Sequence, residues 1–159
     1  MVKRAVVAMS GGLDSTTVLA QALQWGYEVF PLHFKYGQRH SIETEQARMI
    51  VTEFQRQGKL CKNLKEVLVD LAAIGGSAIT DSELVVPKEG VQPGIPITYV
   101  PARNIMFAAI AAGYAETVGA NTIMLGVNQL DYSGYPDCRS EFIKAMEKAL
   151  TLGMKSSKV

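Results

Sequence analysis

The apolar residues of the chain fall into short continuous runs that alternate with longer amphipathic stretches. Residues 5–9 form an apolar run that ends in Ser-Gly-Gly, a pattern typical of a buried parallel strand. Short runs of the same kind predict strands over 27–34, 66–70 and 122–127. Helical spacing predicts helices over 16–25, over 41–57 with a cap at Ser41, over 102–118, and in a last segment marked by Phe142, Ile143, Met146, Ala149 and Leu150.

The order of these elements predicts one α/β domain over residues 1–159. Strands that alternate with helices imply right-handed crossovers and a Rossmann-like, doubly wound parallel sheet. Gly26 and Gly119 stand where left-handed caps would close two of the helices. Residues 71–101 interrupt the alternation of predicted strands and helices with many glycines and prolines, which indicates a functional loop, a lid or a disordered segment.

Composition and charge narrow the class of protein. With 48% apolar and 19% charged residues among 159, the chain fits a globular α/β protein with a buried sheet. Its formal net charge is +1, and no run of Lys or Arg suggests a nucleic-acid partner. The two cysteines, Cys61 and Cys138, are too few for a disulfide framework or a Cys-rich metal site. No segment has the length of a membrane span, so we expect no membrane partner and a cytoplasmic location.

Residues 10–15, Ser-Gly-Gly-Leu-Asp-Ser, join the first strand to the first helix and are called here the Gly-Gly loop. Two adjacent glycines let the backbone curl so that several N–H groups face one anion, and the following helix adds its positive dipole end. The hydroxyls of Ser10, Ser15, Thr16 and Thr17 are expected to donate to further phosphate oxygens. Asp14 is expected either to hold Mg²⁺ near the phosphates or to cap the helix. Neither a Walker motif nor a dinucleotide fingerprint is present, and the plainer alternative is a turn needed only for geometry.

The motif S-G-G-x-D-S resembles the PP-loop of the N-type ATP pyrophosphatases. This resemblance implies an adenine nucleotide alpha hydrolase-like fold and cleavage of ATP between its α and β phosphates. A substrate oxygen is then adenylylated, and a nitrogen or sulfur nucleophile displaces AMP.

Three further segments narrow the resemblance: 34–40 (Phe-Lys-Tyr-Gly-Gln-Arg-His), 100–104 (Val-Pro-Ala-Arg-Asn) and 126–139, which ends in Tyr-Pro-Asp-Cys-Arg. Together with the Gly-Gly loop they resemble the 7-cyano-7-deazaguanine synthase family over essentially the whole chain. That family is a ligase forming C–N bonds, and the resemblance implies ATP-dependent conversion of 7-carboxy-7-deazaguanine and ammonia to the nitrile in queuosine biosynthesis. Its ATP-binding segment maps onto Met9, Ser10, Gly11, Gly12, Leu13, Asp14, Ser15, Thr16, Thr17, Val18 and Leu19.

The remaining candidates are substrate-binding residues at the ends of strands or the start of a helix, where open α/β sheets bind ligands. Arg103 would lie in a helix's first turn, where a cation opposes the dipole unless an anion binds between them; the alternative is a solvated surface Arg. We assign catalytic roles to Asp14 and Arg103. Asp131 and Asp137 are expected to accept hydrogen bonds from the N–H donors of a guanine-like edge. Tyr132 or Tyr135 is expected to stack on the ring, and Arg139 is a further substrate-binding candidate. The alternative is a polar loop in which one Asp caps the following helix. Arg39 and His40 are weaker phosphate-ligand candidates, and Cys138 is expected to be a packing residue.

The resemblance stops before a C-terminal part in which the family carries four cysteines that bind a structural zinc. Cys61 and Cys138 match none of these ligands, so no metal site is assigned, and we expect a C-terminally truncated domain that lacks an outer strand. An exposed sheet edge predicts self-association as a homodimer. Two alternatives stay open: another PP-loop enzyme, such as a tRNA-modifying ligase or thiolase, or a catalytically weak nucleotide-binding fragment.

Overall fold

The computed structural model describes residues 2–36, 42–71, 73–77, 99–127 and 135–155. Four parallel strands form one sheet in the order β3-β2-β1-β4. The strands are β1 (Arg4–Ala8), β2 (Glu28–Lys35), β3 (Lys65–Leu68) and β4 (Thr122–Met124). The helices are α1 (Leu13–Gln24), α2 (Ile42–Arg56), α3 (Arg103–Val118) and α4 (Ser140–Gly153), with a 3₁₀ turn at Pro136–Cys138. The predicted Rossmann-like parallel sheet is confirmed.

The helices cover both faces of the sheet because the central strands are apolar on both sides. On one face, Leu19 of α1 and Val51 of α2 pack with Val7 of β1 and Val29 of β2. On the other face, alanines of α3 let that helix lie close to Val6 of β1. No helix in the described part of the chain is long and apolar enough to cross a membrane.

The strand order places a topological switch point beside β1. The chain moves outward from β1 to β2 and β3, and then returns to pair β4 with the opposite side of β1. In such sheets ligands bind at the carboxyl ends of the strands where the winding direction reverses. The fold therefore points to the edge formed by the Gly-Gly loop after β1 and the residues that follow Met124.

Most predicted boundaries lie within a few residues of the observed ones. Gly26 and Gly119 have φ of +79° and +66°, as predicted for left-handed caps. Helix α1 begins at Leu13 rather than at residue 16, because Leu13, Asp14 and Ser15 form its first turn. Pairing of β4 with β1 stops at Met124, three residues before the predicted end. Of the predicted loop at 71–101, residues 72 and 78–98 lie outside the described residues.

Candidate active site

The Gly-Gly loop is held in shape by its own serines. Ser15 is buried, and its hydroxyl donates to the Gly12 carbonyl at 3.1 Å and accepts from the Ser10 amide at 3.3 Å. The Ser10 hydroxyl lies 3.1 Å from that of Ser15 and accepts from the Gly12 amide at 3.3 Å. These bonds fix the turn between β1 and α1 before any ligand arrives, which is the preorganisation an anion site needs.

The two glycines of the loop are required for different reasons. Gly11 has φ +88°, and a Cβ there would lie 2.7 Å from the Glu43 carbonyl oxygen and 2.9 Å from the Ala47 amide nitrogen. Packing against α2 therefore explains Gly11, whereas the sequence had suggested that both glycines leave room for phosphates. Gly12 adopts φ −83° and ψ 175°, and a Cβ there meets only the Ser10 hydroxyl, at 3.4 Å. Of the two loop glycines, Gly12 is therefore the one that the protein's own packing does not require.

Other residues of the predicted ATP-binding segment 9–19 differ in what their side chains can reach. The hydroxyls of Thr16 and Thr17 donate to carbonyls of their own helix, at 2.8 and 2.9 Å, rather than toward a ligand. Leu19 is fully buried and Val18 packs on the same core, so both support α1 from behind. Leu13 is 82% exposed. In this arrangement the hydroxyls of Thr16 and Thr17 bond to the backbone and Val18 and Leu19 pack on the core, and contact of this part of the segment with ATP stays a prediction.

Asp14 lies exposed in the first turn of α1, at its second residue. The N-cap position belongs to Gly12, so the alternative that Asp14 caps the helix is wrong. Among the described residues, no group of three or more His, Cys, Asp or Glu side chains is arranged to hold a metal ion. A carboxylate beside a helix N-terminus is nevertheless stabilised by the dipole.

A cavity of about 400 Å³ opens at the carboxyl edge of the sheet, beside the Gly-Gly loop. Ser10, Ser15 and Gly126 line it on the loop side, while Arg103, Tyr36 and Phe107 line it on the side of α3. Gly126 follows β4 and lies so close to α1 that a Cβ would be 3.0 Å from the Ser15 amide nitrogen. The cavity therefore occupies the switch point between β1 and β4.

Aromatic rings form one wall of the cavity. The rings of Phe34 and Phe107 are stacked, with centroids 4.0 Å apart and planes 3° apart. Tyr36 meets Phe107 edge to face, at 5.3 Å and 61°. Aromatic surface of this kind suits a flat heterocycle. Phe107 is a site residue that the sequence analysis missed, because on a mostly apolar helix one more aromatic side chain looks like core.

Arg103 is the first residue of α3 and points its guanidinium into the same cavity. Its Nη1 donates to the Tyr36 hydroxyl at 3.5 Å, and its Cζ lies 5.9 Å from the Tyr36 ring centroid. Within the described ranges no carboxylate pairs with it. A cation at a helix N-terminus without an acidic partner carries an electrostatic cost that a bound anion would remove. The structure thus places Arg103 in the first turn of a helix, as the sequence analysis expected, and its role in binding an anion stays a prediction.

Asp137 is buried at the N-terminus of α3. Its Oδ2 accepts the Asn104 amide at 3.1 Å, and the Asn104 side-chain amide donates to the Asp137 backbone carbonyl at 3.1 Å. The same Asn104 amide lies 3.5 Å from the Cys138 sulfur. The second carboxylate oxygen of Asp137, Oδ1, is buried and has no hydrogen-bond partner among the described residues. Asp137 therefore caps α3, not the helix that follows it, and keeps one acceptor unused.

The backbone just before Arg103 is strained. Ala102 has φ +56°, the left-handed region that non-glycine residues rarely adopt. Its amide donates to the Tyr99 hydroxyl at 3.2 Å. Such strain clusters at functional sites, and here it sets the direction in which Arg103 and Asn104 enter α3.

His33 is a buried polar residue that the sequence analysis passed over, because it lies within a strand pattern. Its Nδ1 lies 2.6 Å from the Met9 carbonyl oxygen, and its Nε2 lies 2.9 Å from the Thr44 hydroxyl. The ring thus joins the end of β1 to the first turn of α2.

Several predicted site residues are not placed in the cavity. Asp131, Tyr132, Arg39 and His40 lie outside the described residues. Arg139 is exposed at the N-cap of α4 and does not line the cavity. Tyr135 and Cys138 do line it. Cys61 lies elsewhere in the core, where burial raises the pKa of its thiol to about 11.

Comparison with known proteins places this site in a family. The model of the family described as "Queuosine biosynthesis protein QueC" matches residues 4–159. A 7-cyano-7-deazaguanine synthase of Acetivibrio thermocellus is 55% identical over 97% of this chain and 66% of its own length. One from Picrophilus torridus is 54% identical over 94% of this chain and 61% of its own. The chain thus spans a little under two thirds of the length of these relatives.

Among solved structures, a 4-thiouridine synthetase in complex with RNA and bound ATP superposes with a TM-score of 0.54. It is 18% identical and covers 99% of this chain and 44% of its own, so it supports the fold alone. The family match over nearly the whole chain decides the membership: the chain belongs to the QueC family of queuosine biosynthesis proteins.

Proposed function

We propose that this chain is an ATP-dependent ligase that converts 7-carboxy-7-deazaguanine and ammonia to 7-cyano-7-deazaguanine. The observation that carries the proposal is one cavity that has the Gly-Gly loop on one side and, on the other, Arg103, which pairs with no carboxylate in the described part of the chain. An adenylylation site needs both a cradle for ATP phosphates and a group that receives the carboxylate. The names of the relatives, synthases of this nitrile, support the same substrate.

For ATP, the Gly-Gly loop supplies the phosphate cradle. The Gly12 position has room for close approach, and the N-terminus of α1 directs unpaired amides and a positive dipole at the same place. A solved protein of this fold contains bound ATP, which supports a nucleotide here. Mg²⁺ is commonly held by one or two carboxylates together with substrate phosphates. Asp14, exposed at this helix end, fits as that carboxylate.

For the carboxylated base, the side of the cavity formed by α3 offers three matching groups. The aromatic wall of Phe34, Tyr36 and Phe107 suits a fused heterocycle. Arg103 suits the 7-carboxylate, since guanidinium and carboxylate form charge-assisted hydrogen bonds. The unused Oδ1 of Asp137 suits an N–H donor of a guanine-like edge.

The chemistry proceeds in two activations. A carboxylate oxygen attacks the α-phosphorus of ATP, pyrophosphate leaves, and ammonia displaces AMP from the acyl adenylate to give the amide and a proton. The amide oxygen then attacks a second ATP in the same way. Loss of AMP and the remaining N–H protons from the adenylated amide gives the nitrile. Loop amides hold the phosphates, and Arg103 stabilises negative charge that develops between carboxylate and phosphate.

Zinc does not fit the residues that the structure describes. The two cysteines of the chain lie apart, Cys61 buried in the core under α2 and Cys138 beside Asn104. No step of the proposed reaction uses zinc.

One alternative is a different PP-loop enzyme that modifies tRNA. The likeness to a 4-thiouridine synthetase bound to RNA favours it. The formal net charge of +1 argues against it, because tRNA binding relies on clustered positive charge. The other alternative is a catalytically weak nucleotide-binding fragment, which would bind ATP and leave the base unchanged.

The deciding experiment mixes the protein with ATP, Mg²⁺, 7-carboxy-7-deazaguanine and ammonia and follows the base by mass spectrometry. The proposal expects the amide and then the nitrile, with AMP and pyrophosphate released in step. ATP binding without any change in the base would favour the nucleotide-binding fragment. Thiolation of added tRNA when a sulfur donor is supplied would favour the tRNA enzyme.

We also propose that the protein works as a cytoplasmic homodimer. The groove between β4 and α4 is lined by apolar residues such as Ile123, Ile143 and Leu150 and offers a surface for association. Light scattering coupled to size exclusion will give the mass, and a monomer at micromolar concentration would rule the dimer out.

A further inference from the structure

His33 occupies a core position that an apolar side chain would fill at a lower free-energy cost of burial. It is 1% exposed and lies in β2, between Leu32 and Phe34, which are themselves buried. A buried imidazole costs free energy unless both ring nitrogens find partners, and here both do. The two groups that the ring connects, the Met9 carbonyl and the Thr44 hydroxyl, therefore indicate its role.

The first bond sets the orientation of the peptide that enters the Gly-Gly loop. The Met9 carbonyl only accepts, so His33 Nδ1 carries the hydrogen of the 2.6 Å bond. A trans peptide is planar, so fixing the Met9 carbonyl also fixes the Ser10 N–H, which points the opposite way. That N–H donates to the Ser15 hydroxyl at 3.3 Å. His33 thus acts on the loop through a single rigid peptide.

The second bond ties the same ring to α2. Nε2 lies 2.9 Å from the hydroxyl of Thr44, the third residue of α2. Its neighbour Glu43 lines the cavity, and the Glu43 carbonyl oxygen lies against Gly11. His33 therefore holds the loop and the first turn of α2 in one register without itself lining the cavity.

We propose that His33 is a positioning residue for ATP: it orients the Met9–Ser10 peptide and the start of α2 so that the Gly-Gly loop is ready for phosphates. This inference rests on the proposed function of the loop. His33 touches no ligand in this role, and its effect passes through Met9 and Thr44.

The experiment compares four variants of the whole chain by ATP titration calorimetry, thermal melting and amide exchange. His33→Phe keeps the ring and removes both bonds, His33→Asn keeps an N–H in the Nδ1 position, and Thr44→Val removes only the far bond. Cys61→Ala is the matched control, a core change in the packing cluster that contains Met9, at a residue that lies outside the loop. Because His33→Phe removes both hydrogen bonds and Thr44→Val removes one, we expect His33→Phe to weaken ATP binding about tenfold and Thr44→Val to weaken it about threefold.

His33→Asn should restore most of the ATP affinity that His33→Phe loses, and Cys61→Ala should lower Tm without changing the ATP Kd. Faster exchange of the Ser10 amide in His33→Phe would support the same conclusion independently of ATP. Wild-type ATP affinity in His33→Phe would overturn the inference, as would an equal loss in Cys61→Ala. If the unaltered protein binds no ATP while Ser10 exchange still rises in His33→Phe, the proposed function fails and the positioning of the loop stands.

Discussion

Asn104 donates two hydrogen bonds of 3.1 Å to Asp137, one from its backbone amide to the side-chain Oδ2 and one from its side-chain amide to the backbone carbonyl. The pair joins the N-terminus of α3 to the 3₁₀ turn 33 residues later. It buries a carboxylate whose Oδ2 is hydrogen-bonded and whose Oδ1 has no partner in the ranges that the structure describes. The cap explains why the fold keeps Asp137, and the unused oxygen is what the cap leaves for a substrate.

Asp137→Asn separates these two roles. The amide oxygen of Asn can still accept from the Asn104 amide, so we expect a stability loss of only about 0.3–1 kcal/mol, from the weaker interaction with the helix dipole. The acceptor at the Oδ1 position becomes a donor, so binding of the carboxylated base should fall by about 1–3 kcal/mol. Denaturant unfolding and calorimetry with the base measure the two effects. Unchanged affinity for the base would show that Asp137 is only a cap.

Gly12→Ala tests whether the Gly-Gly loop receives phosphates. The backbone angles at Gly12 suit alanine and the new methyl meets only the Ser10 hydroxyl, so Tm should change little. ATP affinity should fall at least tenfold, because the methyl stands where phosphate oxygens approach the amides.

Two further glycines serve as controls for Gly12→Ala. Gly11→Ala should destabilise the fold, since its Cβ would strike α2 at 2.7 Å and its φ is +88°. Gly113→Ala, in open space on α3, should stabilise the helix by about 0.5–1 kcal/mol and leave ATP binding unchanged. Intact ATP affinity in Gly12→Ala would contradict the assignment of the loop.

Arg103→Ala should have opposite effects on stability and function. Removing a cation that opposes the dipole of α3 should raise the free energy of unfolding by about 0.3–1 kcal/mol. Loss of its charge-assisted hydrogen bonds should lower kcat/KM for the carboxylated base by the factor that corresponds to about 1–3 kcal/mol of transition-state stabilisation. Arg56→Ala is the control: this cation lies at the C-terminal end of α2, where it favours the dipole, so its loss should lower the free energy of unfolding slightly and leave kcat/KM unchanged. A fall in ATP affinity with unaffected binding of the base would place Arg103 among the nucleotide ligands instead.

The sequence predicted the fold well because its signals are local. The apolar run before the Gly-Gly loop and the glycines at 26 and 119 mark strand and helix ends without knowledge of tertiary contacts. The sequence predicted a parallel sheet but not the order of its strands, because β4 pairs with β1 through residues more than a hundred positions apart.

The sequence could suggest candidate site residues where a motif marks them, but not where packing between distant elements creates the site. Arg103 could be found because a cation at a helix start is visible in the sequence. The need for Gly11 to pack on α2, the bridge made by His33 and the wall formed by Phe107 depend on which helix lies over which strand end. Such tertiary contacts leave no periodic pattern in the sequence from which they could be predicted.

Acid stability should depend on Glu66, which lies between β2, β3 and α2. Its carboxylate pairs with Arg48 at 2.5 Å and also with Lys35. The hydrogen bond from Arg48, followed by that from Lys35, lowers the pKa of Glu66 from 4.5 to about 2. A lowered pKa in the folded state stabilises the protein above pH 4.5, and this contribution is lost as the pH falls from there toward 2. Glu66→Gln should therefore lower Tm at pH 7 and flatten the dependence of Tm on pH between 4.5 and 2.5.

Glu53→Gln is the control for this prediction, because its partner Arg56 is 3.5 Å away on an exposed surface. It should leave the fall of Tm at acid pH unchanged. Equal slopes in the wild-type protein and Glu66→Gln would mean that other carboxylates govern acid unfolding.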